Sequence, residues 1–210
     1  MLKKDDVIRQ LGWLFCNYIR YPLIQDMNYP EVTSQFVGQV PERLNPRNYE
    51  YYFEQMYCES KYSIVMQDDA LIFFEYRFDE KDNLIQHNLS YIPTPYKFTS
   101  EWEDLPDESI QYGYLNRYLR IDFDSLGYTE LTHTLVHMHM GIFEHSTRLP
   151  VSHTISPLEF LSLIFTYYYT EPISFPKVMR VDCPHIVRLS ADEDAHFKFS
   201  FGNKVGPLQK

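Results

Sequence analysis

The sequence predicts an α+β fold: an antiparallel sheet of about five to six strands with helices packed on one face. Three observations carry that prediction. Apolar–polar alternation recurs in short runs bounded by turn residues, most clearly in LIFFEYRFD and YLRIDFD. Helical apolar spacing is confined to the N-terminal part and to one segment after residue 155. Hydrophobic residues make up 44% of the 210-residue chain and aromatics 17%, which suits a packed core and not a disordered chain. The length fits one domain over residues 1–210, with residues 1–60 mainly helical and residues 61–210 holding the sheet and one buried helix.

The elements follow in order. Val7, Ile8, Leu11, Leu14, Phe15 and Ile19 share a helical face over residues 2–20, and Pro22 closes that helix. Residues 22–45 read as a loop. Asn45-Pro46 reads as an N-cap followed by proline at the first helical position, opening a tyrosine-rich helix to about residue 59. A meander comes next: a strand over residues 62–66, a turn at residues 67–70, a strand over residues 71–79, and a return strand over residues 84–92. Pro93, Pro95 and the acidic residues 101–108 form a surface loop. Strands over residues 118–124 and 132–141 follow. Ser156-Pro157-Leu158-Glu159 is a capping box with proline at the first helical position, opening a helix to about residue 169. That helix is apolar almost all round and is expected to be deeply buried. Residues 185–190 and 196–201 offer two further short strands.

Charge and composition exclude several functions. A net charge of −10 argues against a broad phosphate-gripping surface, so nucleic acid would be met only locally or through a partner. Neither GxGxxG, GxxxxGK[ST] nor GxSxG occurs. Cys16, Cys58 and Cys183 form no CxxC, so neither a disulfide framework nor a zinc knuckle is indicated, and a reducing cytoplasm fits best. The N-terminal helix is interrupted by Arg9, Gln10, Asn17 and Arg20, unlike a signal peptide, and no run is long enough to cross a bilayer.

The chemistry concentrates in HTLVHMHMGIFEHSTRLP, residues 133–150, which holds four of the eight histidines. On a strand, His137 and His139 share one face, with Val136, Met138 and Met140 on the other. In the preceding strand Arg120, Asp122 and Asp124 alternate with Leu119, Ile121 and Phe123. If the two strands pair, their polar faces coincide. His137, His139 and Asp122 would then hold a divalent metal. Arg148 and Arg120 would stabilise phosphate charge, and Asp124 would orient a histidine. The plainer alternative is a solvent-facing polar strand pair with exposed ion pairs.

His-Met-His also matches the His-hydrophobic-His signature of HUH nucleases, whose nucleophile is a tyrosine on a later helix; Tyr167, Tyr168 and Tyr169 follow here. Against it, Tyr168 continues the core stripe Leu161, Ile164 and Phe165, and the net acidity suits single-stranded DNA poorly. Glu159 is explained by the capping box. Asp68 and Asp69 fit a hairpin turn, His145 and His153 read as surface loop residues, and Cys-Pro-His at Cys183 is too short a pattern to mark a nucleophile.

Taken in order, the tyrosine-rich helix, KYSIVMQDDALIFFEYRFDEKDNLIQHNLSYIPTP, LRIDFD, HTLVHMHMG and RLPVSHTISPLEFLSLIFTYYY resemble the bacterial domain-of-unknown-function family numbered 2290, over about residues 49–169. The resemblance implies a bacterial accessory protein of anti-phage defence with a helicase as partner, and it supplies no catalytic residues. Two expectations stand side by side. One is a metal-dependent, nuclease-like effector using His137, His139, Asp122, Asp124 and Arg148. The other is a non-catalytic interaction or sensor module that docks through exposed aromatics such as Tyr51 or Tyr52.

Overall fold

The computed structural model describes residues 2–29, 44–96, 115–125, 134–142, 148–170, 175–179 and 181. The fold is α+β, as the alternation predicts. Its centre is a seven-stranded antiparallel sheet in which spatial order follows chain order. The strands are β1 Ile24–Met27, β2 Ile64–Met66, β3 Leu71–Phe78, β4 Leu84–Ile92, β5 Leu119–Asp124, β6 Val136–Met140 and β7 Arg148–Pro150. The helices are α1 Lys4–Asn17, α2 Tyr49–Cys58 and α3 Pro157–Tyr168, with 3-10 turns at Tyr18–Arg20 and Lys177–Met179. No described helix is long and apolar enough to cross a membrane.

Seven strands exceed the expected five to six because both edges escape sequence patterning. β1 has buried ends but exposes Gln25 and Asp26, and its pairing with β2 is bulged between Ile24 and Asp26. β7 is three residues long and ends in Pro150, which an edge strand tolerates because one row of its backbone groups needs no ladder partner. The second helix also starts later than Asn45-Pro46 suggests. Asn45 Oδ1 accepts from the Arg47 amide and Asn48 Oδ1 accepts from the Asn45 amide, so these residues make a turn and the helix begins at Tyr49. The expected strands over residues 185–190 and 196–201 lie outside the described residues.

Strand parity divides the core between the two faces of the sheet. Ile72, Phe74, Tyr76 and Phe78 of β3, with Leu89, Tyr91, Ile121, Phe123, Val136 and Met138, pack against Leu11 and Leu14 of α1 and Leu158, Phe160, Leu161 and Phe165 of α3. On the opposite face Val65, Leu71, Phe73 and Ile92 pack against Tyr49, Phe53 and Met56 of α2. Helices therefore lie on both faces. The burial of β3 records the difference: its first four residues are buried on either side, whereas Glu75 and Arg77 in its second half are only partly covered.

Polar connections fix the helices on the first face. Gln10 is almost wholly buried, donating through Nε2 to the Met179 carbonyl (2.8 Å) and accepting at Oε1 from the Leu158 amide (3.1 Å). It ties α1 to the start of α3 with both ends of its amide satisfied, as burial requires. The capping box forms as its sequence predicts: Ser156 Oγ accepts from the Glu159 amide, and Glu159 Oε2 accepts from the Ser156 amide at 2.8 Å. α3 buries Leu158, Phe160, Leu161, Ile164 and Phe165 but exposes Tyr167, so it is one-sided rather than buried all round.

Candidate metal centre

β5 and β6 pair in the register that the site needs. Asp122 stands opposite His137, and Arg120 stands opposite His139. Because β5 alternates, Leu119, Ile121 and Phe123 enter the core beneath α1 and α3, and Arg120 and Asp122 fall on the other face. His137 and His139 join them there, since Val136 and Met138 take the core side of β6. Gly141, at φ 73°, ends β6 in a backbone conformation that glycine adopts without strain.

The pair is not solvent-facing. His137 is 2% and His139 5% exposed, so the plainer sequence alternative of two surface histidines is overturned. Asp122 Oδ2 lies 3.4 Å from His139 Nε2 and 3.7 Å from His137 Nε2. One ligand atom from each of the three residues falls within 4.8 Å of the others. The two imidazole rings meet edge-on at 4.8 Å between centroids. Exposure is greatest at the Asp122 and Arg120 side chains, 16% and 23%, which places the approach to the cluster on the β5 side.

One backbone contact orders this arrangement. His137 Nδ1 lies 2.9 Å from the Thr134 carbonyl. A carbonyl only accepts, so Nδ1 carries the proton, and in the neutral ring Nε2 presents its lone pair toward Asp122. Sequence reading missed Thr134 because its contribution is a backbone oxygen, which leaves no side-chain signature.

Arg120 Nε approaches Asp122 Oδ2 to 2.8 Å as a charge contact without hydrogen-bond alignment. Burial pushes the Asp122 carboxyl up. The hydrogen bond and charge that His139 supplies when protonated, the Arg120 cation and the charge of a protonated His137 outweigh it and hold the group below the ordinary aspartate value. Burial likewise disfavours the Arg120 cation, and Asp122 more than offsets this. The carboxylate is thus ionised at neutral pH. Its Oδ1 is buried and meets no hydrogen-bond donor among the described residues. An ionised carboxylate with a spare buried oxygen beside a lone-pair-bearing imidazole is a donor set that fits a divalent cation.

The remaining sequence candidates divide. Asp124 lies on the same face but opposite Gln86, outside the three ligand atoms. Arg148 pairs with His139 across β6 and β7, and its side chain lies outside the described residues, as do His145 and Cys183. The tyrosine-nucleophile alternative fails on geometry. α3 packs on the opposite face of the sheet, Tyr168 sits against Tyr91 at 4.5 Å, and burial pushes the Tyr168 phenol up to about 12. Tyr169, pushed further up by burial and Tyr91, donates to Asp68 Oδ1 at 2.8 Å. Asp68 therefore does more than close its turn, because it clasps the end of α3. His153 is buried, not a surface residue: Nδ1 lies 3.2 Å from Ser152 Oγ and Nε2 lies 3.7 Å from Glu159 Oε1.

A family model described as an uncharacterized conserved protein (DUF2290) matches residues 15–199, a span that contains β1 to β7, α2, α3 and all three residues of the cluster. No curated protein and no solved structure gives a match. On the extent of that match, the chain belongs to the DUF2290 family.

Proposed function

We propose that the protein is a metal-dependent phosphodiesterase-type effector of bacterial anti-phage defence that works with a helicase. The observation that supports a metal-dependent reading is the convergence of Asp122, His137 and His139 within 4.8 Å on a buried sheet face. The defence context and the helicase rest on the family resemblance stated from the sequence.

In this reading the Asp122 carboxylate, His137 Nε2 and His139 Nε2 would hold the ion, which when bound supplies Lewis acidity and a water acidified toward neutrality. The chain does the rest. Thr134 fixes the His137 ring. Arg120 balances the Asp122 charge and stands beside it for a phosphate oxygen. Strand-borne ligands keep the geometry fixed better than loops would. With net charge −10, the helicase would carry most of the nucleic-acid grip.

The test is a phage-protection assay on His137→Ala and Asp122→Asn, with circular dichroism and partner pull-down as controls. Both variants are expected to lose protection while keeping fold and partner. Full protection by both would remove the enzymatic reading. A second reading is favoured by one observation: Tyr51 of α2 is 65% exposed, and Tyr57 and Tyr96 are also exposed. As a binding module, the protein would keep protection without His137 and lose it on Tyr51→Ala.

A further inference from the structure

We infer that the ion fitting the Asp122, His137 and His139 cluster is a four-coordinate ion of the zinc class, with a single position left for water or a phosphate oxygen. This rests on the metal-centre reading above and narrows it. It separates two kinds of site that the same donor set can build: a tetrahedral site of the hydrolytic type, and a six-coordinate facial triad of the iron(II) type.

The spacing of the donors is the first argument. Ligand bonds of 2.0–2.2 Å to zinc put tetrahedral donors about 3.3 to 3.6 Å apart. Octahedral coordination at 2.0–2.1 Å brings neighbouring donors to about 2.9 Å. The Asp122–His139 and Asp122–His137 separations are 3.4 and 3.7 Å. The first falls within the tetrahedral edge, the second lies just beyond it, and both exceed the octahedral one. The third pair, between the two histidines, lies within 4.8 Å.

Donor chemistry and burial are the second and third arguments. Two nitrogens and one oxygen suit a borderline ion, whereas magnesium and calcium take oxygen donors. The His137 proton is committed to the Thr134 carbonyl, so the ring is held with Nε2 toward Asp122. The histidine side chains are 2% and 6% exposed, with contact to solvent mainly beside Asp122 and Arg120. Access from one side favours few added ligands.

The experiment uses the full chain, stripped with a chelator and titrated with cobalt(II), then with zinc(II), magnesium(II) and manganese(II). One equivalent of cobalt is expected to give the intense visible band of a four-coordinate ion, and zinc is expected to displace it. Asp122→Asn and His137→Gln should each weaken zinc binding by about 100-fold or more, with circular dichroism checking their fold. The wild-type spectrum is informative even if a variant fails to fold. A weak six-coordinate spectrum, or manganese bound as tightly as zinc, overturns this inference and leaves a metal-dependent function standing. Binding of none of the four ions overturns both, and assigns the cluster to a buried Asp–Arg–His network.

Discussion

The two faces of the sheet treat histidine in opposite ways. On the face beneath α1 and α3, His87 is wholly buried between the rings of Tyr76 and Phe123, with Nε2 accepting from the Ile155 amide at 3.4 Å. Burial, against the weaker opposing charge of Asp122, drives its pKa down to about 4, so it stays neutral. On the other face His137 and His139 are nearly as buried but lie against the carboxylate of Asp122. One residue type thus acts as core filler on one side and as a candidate ligand on the other. Burial alone does not separate the two roles; the carboxylate beside the ring is what makes His137 and His139 candidates.

Three changes break or sharpen that contrast. The largest effect is expected on the packed face. Phe160 is fully buried and meets Phe74 edge-on at 6.2 Å. Phe160→Ala should cost about 3 to 5 kcal/mol in urea unfolding. It should leave cobalt binding unchanged in the protein that remains folded, since α3 lies across the sheet from the cluster.

Next is the pH response of His87. Its ordinary pKa of 6.5 applies to the unfolded chain, and about 4 to the folded one. Above pH 6.5 the ring is neutral in both states and costs nothing. As pH falls from 6.5 to 4 the unfolded chain takes a proton that the folded chain refuses. Stability is therefore lost over that window, by about 3 kcal/mol at its foot. His87→Gln should flatten this part of the stability-against-pH curve. An unchanged slope would show that His87 is not the group responsible.

The smallest effect is expected at the end of α3. Tyr169→Phe removes the donor to Asp68 and the contact with the Tyr91 hydroxyl at 3.3 Å. A loss of about 1 to 2 kcal/mol is expected by thermal unfolding. In the proposed defence role, protection should be unaffected, because this clasp belongs to the packed face.

Much of this was legible in the sequence, for identifiable reasons. β5, β6 and the second half of β3 alternate in sequence, because one face of each must be apolar. Ser156, Pro157 and Glu159 announce α3 because a capping box needs those residue types at that spacing. β1 and β7 were not legible, since short edge strands with a bulge or a terminal proline carry little pattern. At the site, the shared face of Asp122, His137 and His139 followed from period two. Their burial did not, nor did the Thr134 contact, the exclusion of Asp124 from the ligand atoms, or the buried state of His153.

The sequence by itself determined which residues lie on which face of each strand, because a pleated backbone sends alternate side chains to opposite sides whatever surrounds them. It also determined the boundaries of α3 and the acidic net charge. Only the tertiary structure decided the register that puts Asp122 opposite His137, and the helices that cover both faces of the sheet. It also decided that the polar cluster is sheltered from water. These depend on contacts between segments far apart in the chain, and the strength of charge pairing at Asp122 depends on that shelter.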